Sequence, residues 1–217
     1  MSEEHYPFIL DEEALQPERV TQLLQRQQEL QDESQRVLEE LNLLELLSDA
    51  GTLRHVGSSV LGLMVWRDID LAVSSPRMSL ERVFEVMQPL FIHPRVNRFR
   101  YLNESGTFNP THLLMDERYY FGVYYNTPAG IEWKIDISFW LMQGIHPEPV
   151  HDAMKRQLTP ETRLAILWIK DVWYQLPSYR NEVYSTDIYD AVLQHGVRTP
   201  GEFDRYLAQR GKPSRNH

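Results

Sequence analysis

The sequence predicts an α/β (α+β) chain: a mixed α/β core, with an acidic helix before it and a helical region after it. Three observations carry this. In IEWKIDISFW, residues 131–140, Ile131, Trp133, Ile135, Ile137 and Phe139 alternate with Glu132, Lys134, Asp136 and Ser138. That two-residue period belongs to a strand with one buried face and one polar face. Residues 18–48 contain neither glycine nor proline and are rich in Gln, Glu and Leu, a helical composition. Thr159-Pro160 and Thr199-Pro200 each set a hydroxyl cap before a proline, the pattern of a helix start. Glu202 completes a capping box in the second.

The elements follow in order. Residues 1–16 read as an irregular acidic arm. In the helix over 18–48, Leu23, Leu30, Val37 and Leu44 recur every seven residues. This stripe either docks on the main domain or forms a coiled-coil seam, and so a homodimer. Asp49-Ala50-Gly51 ends the helix. A strand is expected over 52–56, a turn at Gly57-Ser58-Ser59, a short helix over 59–65 and a second strand over 68–73. Pro76 breaks that strand, and Ser79 caps a helix over 80–87. Strands over 96–102 and 119–125 lead through a turn at 126–130 into the alternating strand. Helices are expected over 149–156, 161–174, 186–194 and 201–209, with a basic tail at 211–217. The organisation is an acidic N-terminal arm and helix (1–49), an α/β core (50–142) and a C-terminal helical region (143–217).

Composition narrows the function. The 217 residues, 42% hydrophobic and 24% charged, suffice for a substantial core. No apolar run approaches the roughly 20 residues of a membrane span. The acidic N-terminus lacks the basic and apolar sections of a signal peptide, so a cytoplasmic location is expected. The absence of cysteine excludes disulfides and thiolate metal sites. Of the net charge of −9, residues 1–50 carry −10 and residues 51–217 carry +1. Binding to long nucleic acid usually draws on a basic excess, and none is visible. A nucleotide, a small molecule or a protein fits this charge distribution better.

The chemistry gathers in HVGSSVLGLMVWRDIDLAV, residues 55–73. Asp68 and Asp70 lie two apart on a strand, so both carboxylates face one side while Ile69 and Leu71 point into the core. Like charges this close repel unless a proton or a cation is shared. Hard oxygen ligands favour Mg²⁺ or Mn²⁺. Asp136, on the polar face of a later strand, offers a third carboxylate, enough for two ions about 4 Å apart. Gly57 lets a ligand approach the backbone, and Ser58 or Ser59 supplies a hydroxyl, which together form a phosphate cradle. The glycine-rich run and lysine of a Walker A loop are absent.

Gly57-Ser58, a short helix, Asp68-Ile69-Asp70 and then Asp136 resemble the signature of the nucleotidyltransferase superfamily. The resemblance covers about 53–137, under half of the chain. It implies a nucleotidyltransferase-like mixed sheet backed by helices, with the active site at its edge. It implies transfer of a nucleoside monophosphate, with ATP as the commonest donor, to an acceptor hydroxyl and release of pyrophosphate. Asp68 and Asp70 would bind metal and triphosphate, and Asp136 the metal that activates the acceptor. Small members often carry a helical region such as 143–217 beside the core. The apolar Val60-Leu61-Gly62-Leu63-Met64 departs from the smaller polar residues common there, and removes no metal ligand.

Other residues admit two readings each. Lys134 neutralises phosphate or pairs with Glu132. Arg67 steers triphosphate or caps a loop. Arg98 and Arg100 form a basic wall or a solvated face. Tyr119, Tyr120, Phe121, Tyr124 and Tyr125 include a base-stacking platform or pack as an ordinary strand. Lys170, Asp171 and Tyr174 lie on the most persuasive C-terminal helix. The eight histidines, among them His55 and His151, show no ligand-like spacing. The expectation is an Mg²⁺- or Mn²⁺-dependent nucleotidyltransferase using ATP or another nucleoside triphosphate on a small-molecule or protein acceptor. The alternatives are an inactive regulatory or interaction protein of the same fold and an enzyme acting on RNA ends.

Overall fold

The structure is a computed structural model that describes residues 15–76, 78–142 and 148–215, the first three of the last segment by backbone alone. Residues 1–14 of the arm expected over 1–16, the last residues of the basic tail, and His5, His146 and His217 lie outside the described residues. By contact, the chain divides into Arg26–Thr159 and a second unit drawn from Met1–Gln25 and Pro160–His217.

A five-stranded mixed sheet organises the first unit. Its strands are β1 (Thr52–Val56), β2 (Asp68–Ser74), β3 (Val96–Glu104), β4 (Arg118–Asn126) and β5 (Glu132–Trp140), in spatial order β1-β2-β5-β4-β3. Only β2 and β5 run parallel, and that pairing sets Asp68 opposite Lys134 and Asp70 opposite Asp136. The alternation read in β5 holds over most of the strand: Trp133, Ile135, Ile137 and Phe139 are buried, and of the polar face only Ser138 is buried with them. Ile131 lies just before the strand and is exposed. Ile69, Leu71 and Val73 of β2 and Phe121, Val123 and Tyr125 of β4 share the same core. Each such side chain withdrawn from water contributes about 1.5–3 kcal/mol before chain entropy is subtracted.

The helices depart from expectation at their ends. The long helix is two: α1 (Pro17–Glu40) and α2 (Leu43–Ser48). Between them Asn42 adopts the left-handed conformation, φ 46° and ψ 38°, which asparagine tolerates better than most residues. The break turns Leu43 and Leu47 into the core with Leu30, Val37, Leu38 and Leu41. The heptad stripe is thus used within the chain, with Leu44 left exposed. The helix expected over 59–65 is one turn, α3 (Ser58–Leu61), because Gly62 closes it at φ 66°. Helix α4 (Leu80–Phe91) outruns its expected end and contains Pro89. Proline removes one helix hydrogen bond, but Val83, Val86, Met87 and Leu90 share a buried face that holds the last turn. Ser79 caps α4 as expected, accepting from the Arg82 amide. Helix α5 (Glu148–Gln157) completes the unit.

In the second unit, α6 (Pro160–Trp173), α7 (Ser185–His195) and α8 (Pro200–Ala208) bury Ile166, Trp173, Ile188 and Phe203. Thr199 and Glu202 form the anticipated capping box. Lys170, fully buried, donates to the Tyr189 hydroxyl, and Asp171 pairs with Arg19. Among the described residues no helix is long and apolar enough to cross a membrane.

Candidate metal centre

The polar face of the sheet carries the site. Along β2 the burial alternates, with Ile69 and Leu71 buried and Asp68 and Asp70 partly open. Parallel pairing with β5 brings Asp136 beside Asp70, so ligand oxygens of Asp68, Asp70 and Asp136 all lie within 4.8 Å of one another. A slip of one residue in either strand would send a carboxylate into the core. The donor set is all oxygen, which suits Mg²⁺ or Mn²⁺.

Lys134 answers its two readings in an unexpected way. Its ammonium is bonded to Oδ2 of Asp136 and lies 3.6 Å from Oδ1 of Asp68. Glu132, its expected structural partner, is instead 3.4 Å from Arg98. An organic cation therefore sits at the carboxylates. Even so, burial above all, and then the Asp68 charge, raise the Asp136 carboxyl above its ordinary range, against the opposing pull of Lys134 and Tyr120.

Gly57 fits the site through a close approach. Its backbone, φ 79° and ψ −164°, is open essentially to glycine alone. A side chain there would meet Asp70, whose Cγ and Cβ would be 2.8 and 2.9 Å from the added carbon. The glycine thus brings the turn against an acidic side chain of the cluster. Ser58 and Ser59 are buried. Ser59 is engaged by His55, whose Nε2 lies 2.7 Å from its hydroxyl oxygen. Arg67 makes a two-pronged ion pair with Glu33 of α1, at 2.8 and 3.3 Å. The structure therefore brings together Asp68, Asp70, Asp136, Gly57 and Lys134, and engages Ser59 and Arg67 elsewhere.

Two contributors escaped the sequence reading. The Gly57 amide donates to Nε2 of His151 on α5 at 3.2 Å. Burial, then the neighbouring His151, lowers the pKa of His55, and burial lowers that of His151. A lowered pKa keeps the His151 ring neutral and able to accept. Tyr120 donates to Oδ1 of Asp136 at 2.7 Å. Burial, reinforced by Asp136, raises its pKa far enough to keep that hydroxyl protonated. The histidines are 96 residues apart, and nothing in the local sequence pairs them. Tyr120 was visible as one of the strand aromatics, but its target was not.

On the same face Arg98 stacks over Tyr124, 3.7 Å from the ring centroid, and Arg100 pairs in register with Gly122, itself opposite Asp136. No protein-family model matches the chain, and no curated protein matches its sequence.

Proposed function

We propose that the chain is a divalent-cation-dependent nucleotidyltransferase that moves a nucleoside monophosphate, AMP from ATP by preference, to a hydroxyl of a small-molecule or protein acceptor. One observation carries the reading: Asp68, Asp70 and Asp136 converge within 4.8 Å, with the Gly57 turn packed against Asp70. The order of these residues along the chain adds the resemblance to the nucleotidyltransferase superfamily and its fold. Asp68 and Asp70 hold the cation side of the triphosphate, and Asp136 holds the side entered by the acceptor. Bound Mg²⁺ or Mn²⁺ supplies charge neutralisation at the phosphates and a lower pKa for the attacking hydroxyl. The acceptor oxygen bonds to the α-phosphorus as the bond to the β-phosphate oxygen breaks. Pyrophosphate leaves, and the hydroxyl proton passes to water.

A second reading draws on Lys134. Its ammonium already balances Asp136 and approaches Asp68, which suits a regulatory protein that keeps the arrangement without turnover. The deciding experiment incubates the protein with Mg²⁺, each α-labelled nucleoside triphosphate and cell extract fractionated into metabolites, RNA and protein. Transfer to the metabolite or protein fraction, stopped by Asp136→Asn, is expected. Label on RNA ends alone would favour the polymer-modifying alternative. Undiminished transfer by Asp136→Asn would remove Asp136 from catalysis, and no transfer despite Mg²⁺-dependent ATP binding would favour the regulatory protein.

A further inference from the structure

We infer that Tyr120 is a positioning residue of this site: its hydroxyl fixes the orientation in which the Asp136 carboxylate meets a divalent cation. The inference rests on the reading of the three aspartates as a cation site.

The geometry is specific. Tyr120 pairs across the sheet with Ser138, two residues from Asp136, so it reaches Asp136 on the diagonal. Its hydroxyl donates to Oδ1 at 2.7 Å, while Lys134 takes Oδ2. With one oxygen on a neutral donor and the other on an ammonium, the carboxylate is held at both ends. A cation that replaces the ammonium then meets Oδ2 without the carboxylate turning. Such outer hydrogen bonds orient ligands and tune their affinity for metal.

The sequence around Tyr120 maintains this contact. Gly122 lies opposite Asp136, and a Cβ there would be 3.1 Å from the Tyr120 hydroxyl oxygen and 3.7 Å from Oδ1 of Asp136. The missing side chain is the room the hydroxyl occupies. Arg118 lies over the ring. That guanidinium lies 5.4 Å from the Tyr120 centroid and 5.0 Å from that of Trp140, donates to Ser138 at 3.2 Å and pairs with Glu104. A tyrosine serving only the core would need no hydroxyl partner on a candidate ligand.

The test uses the full chain, with Mn²⁺ alone as the probe, so that neither the nucleotide nor the acceptor need be known. Free Mn²⁺ is followed by electron paramagnetic resonance, and Tm is measured alongside. Tyr120→Phe removes one oxygen and keeps the ring. It should weaken Mn²⁺ about 10-fold, the lower end for outer-shell partners, with Tm nearly unchanged. Gly122→Ala, which crowds the hydroxyl, should weaken Mn²⁺ in the same direction by less. Tight Mn²⁺ binding by wild type and Tyr120→Phe alike would overturn the role of Tyr120 and leave the site intact. A loss matched by a large fall in Tm would make Tyr120 a structural brace and also overturn it. No Mn²⁺ binding by wild type, or binding unaffected by Asp68→Asn with Asp70→Asn, would remove the cation site itself.

Discussion

Gly57→Ala tests whether the turn and the carboxylates are built as one unit. The wild-type backbone at φ 79° and ψ −164° falls in a region occupied almost solely by glycine, where another residue costs about 1–3 kcal/mol. The added methyl group would also sit 2.8 Å from Asp70 Cγ and 2.9 Å from its Cβ, well inside contact distance. Relieving such overpacking typically costs a further 1–3 kcal/mol, roughly. A combined loss of about 3 kcal/mol should lower Tm by roughly 6–12 °C in a chain of this size. Asp70 must also swing away from Asp68 and Asp136, so Mg²⁺-dependent ATP binding should fall with stability. Gly130→Ala is the control. Gly130 also has a positive φ, 76°, but nothing lies within 4 Å of its added carbon, so it reports a substitution at positive φ without the contact. Calorimetry of both variants, by heating and by ATP titration, gives the comparison. Gly57→Ala no less stable than Gly130→Ala, with wild-type ATP binding, would refute the claim that Gly57 exists to admit Asp70.

Asp136 and His151 supply the remaining predictions. Because the folded state raises the Asp136 pKa, the folded chain retains a proton that the unfolded chain has released just above pH 3.8. Stability in EDTA should therefore fall as pH rises through that window, and Asp136→Asn should flatten this part of a Tm profile; parallel profiles would contradict the assignment. His151→Ala removes a neutral acceptor from the Gly57 amide. If phosphate uses that amide, Mg²⁺-tripolyphosphate should bind about 3- to 10-fold more tightly, the equivalent of one ordinary hydrogen bond, whereas weaker binding would make His151 part of the ligand site.

What was legible followed the local period. The two-residue alternation of β5 and the Asp-Ile-Asp of β2 fixed which side chains face the core, and with them the side on which all three carboxylates emerge. Helix starts at Ser79 and Thr199 were legible because a cap and the amide it serves are three residues apart. Partners were not legible where register between distant strands chooses them. Lys134 is equidistant in sequence from Glu132 and Asp136; the β2–β5 pairing, by setting Asp68 opposite, draws it to the acidic side. Glu132 is left to Arg98 of β3, which reaches it across β4. Arg67 looked free for phosphate because Glu33 lies 34 residues earlier, on a helix whose packing no local pattern reports. The break at Asn42 was masked by an uninterrupted helical composition, since one asparagine in the left-handed region suffices to redirect the chain.

Under the proposed reading, the position of Lys134 also bears on how the site would choose its cation. Three carboxyl groups face one ammonium in the cluster, an excess of acid that a divalent ion would balance better than a monovalent one. Burial makes such an excess costly and, with the Asp68 charge, raises the Asp136 pKa. Protonation and divalent binding are thus competing remedies for the same repulsion, and a cation gains affinity as pH rises above the Asp136 pKa. Lys134 limits that gain, because its ammonium must give up Asp136 wherever the incoming ion takes Oδ2. Once displaced it remains on β5 beside the carboxylates. Under the proposed reading it then faces the one part of the substrate that carries excess negative charge, the phosphates. The pairing with Asp136 and the contact with phosphate are in this sense two occupancies of one residue, ordered by whether the cation is bound.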